Sequence, residues 1–332
     1  MKKIGMVGIG LMGHGIASNI VKHGYPLTVL EHPGNQPLDG LKAAGVQTQT
    51  SAKDLAANSE IIILCVTGTP QVEAVLFGKD GVLEGLQSHA IVIDCSTAIP
   101  SSTERIAKSV SEAGGRFLDA PMTRTPKEAA EGRLNLLVGG DLALFEECRP
   151  ILACFAENIS HAGAVGAGHR MKLLHNYVSL GFVALLSEAA ACAQRAGIAS
   201  DVFVDVLAKG GGGGAALERL RPYLANRDTS ALRFAMNNAK KDLSYYNAMA
   251  NDTGAVSVIA DAVLQTFDQG LQEGGDQSLV LELVSLLTAR EVPKKAPEAL
   301  PGPSDFDMSS LPTPLDCELD NSKRAAQAGE RS

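Results

Sequence analysis

The chain has 332 residues, of which 45% are hydrophobic and 20% charged, and its formal net charge is −8. This length exceeds what one hydrophobic core usually serves, so we expect two folded domains. The acidic balance argues against a nucleic-acid partner, which would call for a basic patch. Polar residues interrupt the long apolar stretches before they reach the length of a membrane-spanning helix, so no membrane partner is expected.

The six cysteines are scattered along the chain. No pair has CxxC spacing and no Cys/His group has the spacing of a zinc site, so we expect no bound metal. We interpret the cysteines as reduced thiols of a cytoplasmic protein.

Short β-rich runs alternate with helical stretches up to about residue 160. Several of these runs are apolar at successive positions, which is typical of parallel strands buried on both faces. The predicted strands are residues 3–7, 27–30, 61–66, 90–94, 117–119 and 134–138, and the predicted helices are 13–23, 52–57, 71–76 and 102–113. The alternation predicts βαβ units and a doubly wound, mainly parallel sheet, that is, an α/β Rossmann domain over residues 1–164.

A glycine-rich segment follows the first predicted strand and opens the first predicted helix. It reads Gly8-Ile9-Gly10-Leu11-Met12-Gly13. GxGxxG alone is a weak signal, but this context is that of a dinucleotide-binding turn. The first glycine permits the tight turn, the second lets the backbone approach the pyrophosphate, and the third lets the helix pack on the strand. The free N–H groups of the helix start would then face the phosphates, so we assign this segment to the cofactor.

The second predicted strand ends at Glu31, about 20 residues past the glycines, where a carboxylate can accept both hydroxyl protons of the adenosine ribose. It would also repel a 2′-phosphate, and His32 and Pro33 follow instead of a basic residue. The sequence therefore favours NAD over NADP. We also assign Val66 to the cofactor site.

From about residue 165 the apolar residues recur at helical spacing, over 171–196, 201–207, 234–250, 255–269 and 278–287. This pattern predicts an all-helical domain over residues 165–292, which would bind the substrate and form the dimer contacts. The glycine run 210–214 is expected to be a loop, with a close approach to a ligand left open. Six prolines follow among Ser, Asp and Glu, so residues 293–332 are expected to be a disordered tail.

Lys172 and Asn176 lie four residues apart at the start of the first of these helical stretches, so they share one face. The surrounding residues are apolar, and a lysine in such a place can have a depressed pKa and act as a general acid or base. A lysine that merely extends to solvent at a helix start is the alternative.

The chain resembles the β-hydroxyacid dehydrogenase family, which includes 3-hydroxyisobutyrate dehydrogenases and tartronate semialdehyde reductases, over about residues 3–290. The resemblance lies in segments that occur in one order: the glycine turn with Ala17 and Asn19; Asp94-Cys95-Ser96-Thr97; Asp119-Ala120-Pro121; Gly132 with Val138-Gly139-Gly140; Gly163 to Lys172 with Asn176; and Lys240-Lys241-Asp242-Leu243. It implies NAD-dependent hydride transfer between a hydroxyacid and its semialdehyde, by a homodimer or homotetramer.

The resemblance also implies roles for individual residues. The lysine that matches Lys172 is the catalytic acid/base of the family, and the asparagine that matches Asn176 places the substrate. Ser96 and Thr97 match the loop beside the nicotinamide and the substrate, and Lys241 matches a lysine that closes over the cofactor.

The substrate loop departs from the common family pattern, which reads Val-Ser-Gly-Gly after Asp-Ala-Pro. Here it reads Met122-Thr123-Arg124-Thr125, and a guanidinium can bind a carboxylate, sulfonate or phosphate through two parallel hydrogen bonds. We therefore expect Thr123, Arg124 and Thr125, with Ser96, to bind a small anionic hydroxyacid or semialdehyde.

The Arg-Thr pair is similar to that of sulfolactaldehyde reductases. That subgroup, however, tends to have glycine where Thr123 stands and asparagine where His175 stands. Carboxylate and sulfonate both stay open, as does a surface position for Arg124.

Three other kinds of protein fit the sequence less well. Imine reductases share the fold but typically lack the catalytic lysine, and 6-phosphogluconate dehydrogenases have a longer helical part. A non-catalytic NAD-binding regulatory protein would keep the glycines and Glu31 but would not need Lys172 and Asn176. The sequence thus favours an NAD-dependent oxidoreductase.

Overall fold

The computed structural model describes residues 1–291, and Met1–Arg290 form one compact unit. An α/β sheet is followed by helices alone, so the predicted Rossmann domain and all-α part are confirmed. The expected disordered tail, residues 293–332, lies outside the described residues.

Strands and helices alternate through the first half. The strands are β1 (Ile4–Val7), β2 (Leu27–Leu30), β3 (Gln47–Gln49), β4 (Ile61–Leu64), β5 (Ile91–Asp94), β6 (Arg116–Asp119), β7 (Met122–Thr123), β8 (Leu134–Gly139) and β9 (Ala156–Gly163). The helices of this half are α1 (Leu11–Lys22), α2 (Asp39–Ala43), α3 (Ala52–Ala57), α4 (Thr69–Phe77), α5 (Val82–Gly85), α6 (Pro100–Glu112), α7 (Pro126–Ala130) and α8 (Leu142–Leu152).

The second half contains helices in the part of the chain that the structure describes. These are α9 (Ala167–Arg195), α10 (Ser200–Ala208), α11 (Ala215–Asn226), α12 (Met236–Thr253), α13 (Val258–Gly274) and α14 (Leu283–Ala289), with 3-10 turns at Ser230–Leu232 and Val280–Glu282.

The described strands form one sheet in the order β3-β2-β1-β4-β5-β6-β8-β7, with β9 beside β8. Strands β1 to β6 are parallel to one another, whereas β8 runs antiparallel to β6 and β7. Along β4, Ile61 and Ile63 pack into one core and Ile62 and Leu64 into another, because helices cover both faces. The strand order reverses between β1 and β4, where open α/β sheets bind ligands at the carboxyl ends of the strands.

Helix α9 connects the sheet to the helical half. It has 29 residues, and its most apolar 18-residue window has a mean hydropathy of 1.3, so by length and composition it could cross a membrane. Half of that window is buried, and Leu180 and Val183 pack in a core with residues of α11 to α14. We therefore interpret α9 as the central helix of the fold.

Several elements were not predicted, among them the longer strand β9 and helix α11. Strand β9 is an edge strand whose residues are mostly exposed, so it lacks the alternation that predicts a strand. Helix α11 contains Pro222, which weakens a helical pattern. The predicted helix over 278–287 is a 3-10 turn followed by α14, and the glycine run lies in the turn between α10 and α11, as expected.

Candidate active site

The three motif glycines between β1 and α1 meet different surroundings. Gly8 has φ +95°, and a Cβ there would lie 2.2 Å from the Cys65 carbonyl oxygen. A Cβ on Gly13 would lie 1.9 Å from the Gly8 carbonyl oxygen. A Cβ on Gly10 would meet no protein atom within 4 Å. Gly8 and Gly13 are therefore required by the protein itself, whereas Gly10 leaves open space in front of the helix.

This open space suits the pyrophosphate of a dinucleotide. Gly10 is the N-cap of α1 and no side chain caps the helix, so the N–H groups of its first turn are free to bind an anion. Leu11, the first helical residue, is 66% exposed although it is apolar. Met12 is half-buried against the core. The residues present thus fit a bound dinucleotide.

An asparagine that the sequence did not single out braces this turn. Asn35 Oδ1 accepts from the Ile9 N–H at 3.2 Å, and its Nδ2 donates to the Leu30 carbonyl at 2.9 Å. The loops after β1 and β2 are thereby tied together. A lone asparagine in a loop gave no signal of this contact.

Glu31 lies at the end of β2, on the same edge of the sheet. Its Oε1 accepts from Lys42 Nζ at 2.8 Å, and the hydrogen bond lowers the pKa of the Glu31 carboxyl. The carboxylate is therefore ionised at neutral pH. Lys42, however, brings a cation beside the position predicted to reject a 2′-phosphate.

Helix α12 closes over the loop that follows β4. Lys241 Nζ donates to the Thr67 carbonyl, and the Tyr245 hydroxyl accepts from the Thr69 N–H at 3.2 Å. The intervening Gly68 has no room for a Cβ, which would lie 2.6 Å from the Tyr245 hydroxyl. Lys241 thus lies beside the loop after β4, and Tyr245 is a contact that the sequence did not suggest.

Asn176 and Lys241 contact a buried carboxylate from α12, whose charge also acts on Lys172. Asn176 Nδ2 donates to Asp242 Oδ2 at 2.6 Å, and Lys241 Nζ lies 3.1 Å from Asp242 Oδ1. Asp242 is 3% exposed. The structure therefore brings Lys172, Asn176 and Lys241 together around Asp242, which the sequence showed only as part of a family segment.

The surroundings of Lys172 shift its pKa. Burial lowers the pKa of Lys172 to about 8; the Asp242 carboxylate opposes this shift and the Lys241 cation adds to it. Near neutral pH this amine can therefore give up a proton and take one back, as a general acid or base must.

His175 extends the same cluster. Its Nδ1 lies 3.1 Å from Asn176 Oδ1, so the imidazole helps to fix the orientation of the amide. Burial lowers the pKa of His175, and the nearby charges of Lys172 and Arg219 lower it further. Arg219 of α11 is a charge near the site that the sequence did not single out, because α11 itself was not predicted.

The loop after β5 faces the start of α9. Ser96 is buried, its Oγ accepts from the Val66 N–H at 3.0 Å, and its own N–H donates to Asp94 Oδ1 at 2.9 Å. Thr97 is half-buried beside it. Ser96 thus joins the ends of β4 and β5. The structure places Ser96, Thr97 and Val66 in neighbouring loops of one crevice, at the carboxyl ends of these strands.

The substrate loop shows three different environments. Thr123 is buried, and its Oγ1 accepts from Asn135 Nδ2 at 3.1 Å. Arg124 adopts φ +83°, and its guanidinium donates to Glu157 Oε2 and to a backbone carbonyl. Thr125 is the N-cap of α7 and forms a capping box with Glu128. The guanidinium of Arg124 and the hydroxyls of Thr123 and Thr125 therefore all have hydrogen-bond partners within the protein.

A cavity of about 290 Å³ lies between this loop and α9. Its lining comes from β7, β8, β9 and α9: Thr123, Asn135, Leu136, Leu137, Asn158, Ser160, Met171 and His175. Asn158 Nδ2 donates to Asn135 Oδ1 at 2.8 Å, which continues the chain of hydrogen bonds that ends at Thr123. The cavity lining therefore presents neutral polar groups beside α9, the helix that carries Lys172.

Known proteins match the chain over both halves. The family profile described as the NAD binding domain of 6-phosphogluconate dehydrogenase matches residues 3–163. The profile described as NAD-binding of NADP-dependent 3-hydroxyisobutyrate dehydrogenase matches residues 166–287.

Individual relatives match with similar coverage. The NAD-dependent L-serine dehydrogenase of Pseudomonas aeruginosa is 31% identical, over 86% of this chain and 92% of that protein. The 3-sulfolactaldehyde reductase of Escherichia coli is 31% identical, over 86% and 96%. A solved structure of Mycobacterium tuberculosis 3-hydroxyisobutyrate dehydrogenase with L-serine shares the fold, with a TM-score of 0.78 and 24% identity over 87% of this chain and all of that one.

Proposed function

The chain belongs to the β-hydroxyacid dehydrogenase family of NAD-dependent oxidoreductases, and we propose that it interconverts a small anionic 3-hydroxyacid and its semialdehyde. The observation that carries this proposal is the lysine site on α9. Lys172 has a pKa near 8 beside Asp242 and Asn176. A protein that only sensed NAD would not need this arrangement.

The chemistry divides between cofactor and protein. The nicotinamide, when bound, donates or accepts the hydride. In the direction of reduction, Lys172 donates a proton to the oxygen on which negative charge develops, and in oxidation the neutral amine removes the hydroxyl proton. Asn176 has one amide proton engaged by Asp242, so the other is free to hold the substrate oxygen.

We assign the cofactor to the glycine turn, Glu31, Val66, Thr97 and Lys241, with NAD preferred. The ionised carboxylate of Glu31 supports this preference, and Lys42 beside it is the residue that would weaken it. Comparing kcat/KM for NADH and NADPH tests the assignment. Similar values would overturn it. We expect a preference for NADH that a Glu31→Gln variant reduces, because the charge that repels the 2′-phosphate is removed.

The substrate acid group is assigned to Ser96, Thr123, Arg124 and Thr125. The neutral polar lining of the neighbouring cavity supports a short substrate with hydrogen-bonding groups. The relatives named for L-serine and 3-sulfolactaldehyde support carboxylate and sulfonate substrates alike. For Arg124 to bind the acid group, the substrate must displace Glu157 from the guanidinium.

We further infer that the enzyme forms a homodimer or homotetramer in the cytoplasm. One side of α9 exposes apolar residues three or four positions apart, Met171, Leu174, Val178, Phe182 and Leu185, a stripe that can pair with its own copy. The described cysteines are free, which supports a reducing compartment. Light scattering on the protein and on a Leu185→Glu variant tests the assembly, because a monomeric wild type would contradict it.

A screen of NADH oxidation tests the proposed reaction. The semialdehydes of methylmalonate, tartronate and succinate, with sulfolactaldehyde, should be compared in one direction, and the matching hydroxyacids with L-serine in the other. We expect turnover with at least one anionic pair and none with a Lys172→Ala variant. Absence of turnover with every pair would contradict the proposal.

A further inference from the structure

A fully buried histidine lies one turn before the lysine on α9. His169 has 0% exposure and is three residues from Lys172, so the two share a stretch of helix and move together. The chemistry proposed above does not use it. Its contacts nevertheless join α9 to α6, to the end of β6 and to the loop after β5.

The backbone around His169 is held by a carboxylate from the sheet. Asp119, at the end of β6, accepts from the Gly166 N–H at 2.7 Å and from the His169 N–H at 2.8 Å. These are orphan donors of the helix start, and the carboxylate also suits the positive end of the helix dipole. A Cβ on Gly168 would lie 2.3 Å from the Leu137 carbonyl oxygen, so the helix start approaches the sheet as closely as it can.

The imidazole makes a second set of contacts. Its Nε2 lies 3.1 Å from the Ser96 carbonyl oxygen and therefore carries a proton, because a carbonyl only accepts. Its Nδ1 lies 2.8 Å from Thr103 Oγ1 on α6. Asp94 Oδ2 and Asp119 Oδ2 each lie 3.9 Å from a ring nitrogen, so both ring nitrogens are matched with polar groups and one ring orientation is selected.

The imidazole contacts reach the loop after β5, which carries Ser96 and Thr97. Ser96, whose carbonyl accepts from His169, also accepts from the Val66 N–H through its hydroxyl. We propose that His169 is a positioning residue, which fixes the start of α9 against the Ser96 loop and so sets where Lys172 lies relative to the reacting carbon. The proposal rests on the proposed function, since it requires Lys172 to be the acid/base.

The test compares His169→Ala with His169→Gln. Alanine removes both side-chain contacts, whereas the glutamine amide can donate to the Ser96 carbonyl and accept from Thr103. We expect His169→Ala to lower kcat by about 10- to 100-fold, as small misplacements of a catalytic group do. We also expect the NADH Kd to stay within about twofold and His169→Gln to recover most of kcat. The limb of the pH profile that Lys172 controls should move toward higher pH in His169→Ala, because a displaced amine is less buried.

A matched control is available on β9. His161 Nε2 also contacts a backbone carbonyl, that of Gly140, at 2.8 Å, but lies outside the site. His161→Ala should leave kcat and the pH profile unchanged. If His169→Ala does not fold, Thr103→Val, which removes only one contact of the ring, should lower kcat with the NADH Kd unchanged.

The outcomes separate the two proposals. Turnover that survives in Lys172→Ala would overturn the proposed acid/base whatever His169 does. Loss of turnover in Lys172→Ala, together with unchanged kcat and pH profile in His169→Ala, would overturn the positioning role alone. A fall in kcat that His169→Gln does not recover would also contradict it.

Discussion

The glycine turn and the lysine site meet at one crevice but are assembled differently. The turn has a strong local signature, since the nearest atom that excludes a Cβ from Gly13 belongs to Gly8, although Cys65 of the loop after β4 excludes one from Gly8. The lysine site joins α9 to α12, where Asn176 and Asp242 are 66 residues apart. The cofactor end is therefore readable from a short motif, whereas the chemistry depends on contacts that only the folded chain creates.

The largest effect should come from the lysine. Lys172→Ala removes the proposed proton donor and acceptor and should lower kcat by about 10²- to 10⁴-fold, the usual contribution of acid–base catalysis. The NADH Kd should not change, because the glycine turn is a separate element. Steady-state kinetics and NADH fluorescence titration measure the two quantities. A parallel loss of NADH binding would mean that the two regions are not independent.

Two glycine variants separate the cofactor contacts of the glycine turn from its role in the fold. Gly10→Ala adds a methyl group into open space, so the melting temperature should hold while the NADH Kd rises by about tenfold or more through lost charge-assisted hydrogen bonds.

Gly13→Ala is the matched variant. Its Cβ would meet the Gly8 carbonyl oxygen, so the protein itself should lose about 1–3 kcal/mol of stability. Thermal unfolding distinguishes the two variants. Equal loss of melting temperature in both would show that Gly10 is also required by the fold.

A smaller effect is expected in the substrate loop. Arg124→Ala should raise KM for an anionic substrate by about fivefold, a modest loss because the guanidinium already has a partner in Glu157. Glu157→Gln weakens that competing pair and should lower KM. If neither variant changes KM, Arg124 is a structural residue of the loop and does not contact the substrate.

The same contrast explains which parts of the fold and of the site could be predicted from the sequence. Apolar strands such as β4 and β5, the glycine turn and the long α9 carry strong local patterns, and the fold class followed from them. Asp242 was visible only as part of a family segment, and nothing showed that it would meet Asn176. His169 was likewise visible only as part of a family segment, and nothing showed its contacts, because its partners Thr103 and Ser96 lie on α6 and the loop after β5. Likewise, the sequence suggests that Arg124 binds an anion. It does not show that Glu157 is such an anion, because β9 was not predicted.

The pH dependence of kcat in both directions tests the central claim most directly. With the pKa of Lys172 near 8, reduction needs the protonated amine, so its rate should fall as the pH rises through about 8. Oxidation needs the neutral amine, so its rate should rise over the same range. Asp242→Asn removes the charge that raises this pKa, and both limbs should move to lower pH. Limbs that are absent in the wild type, or that stay in place in Asp242→Asn, would contradict Lys172 as the acid/base.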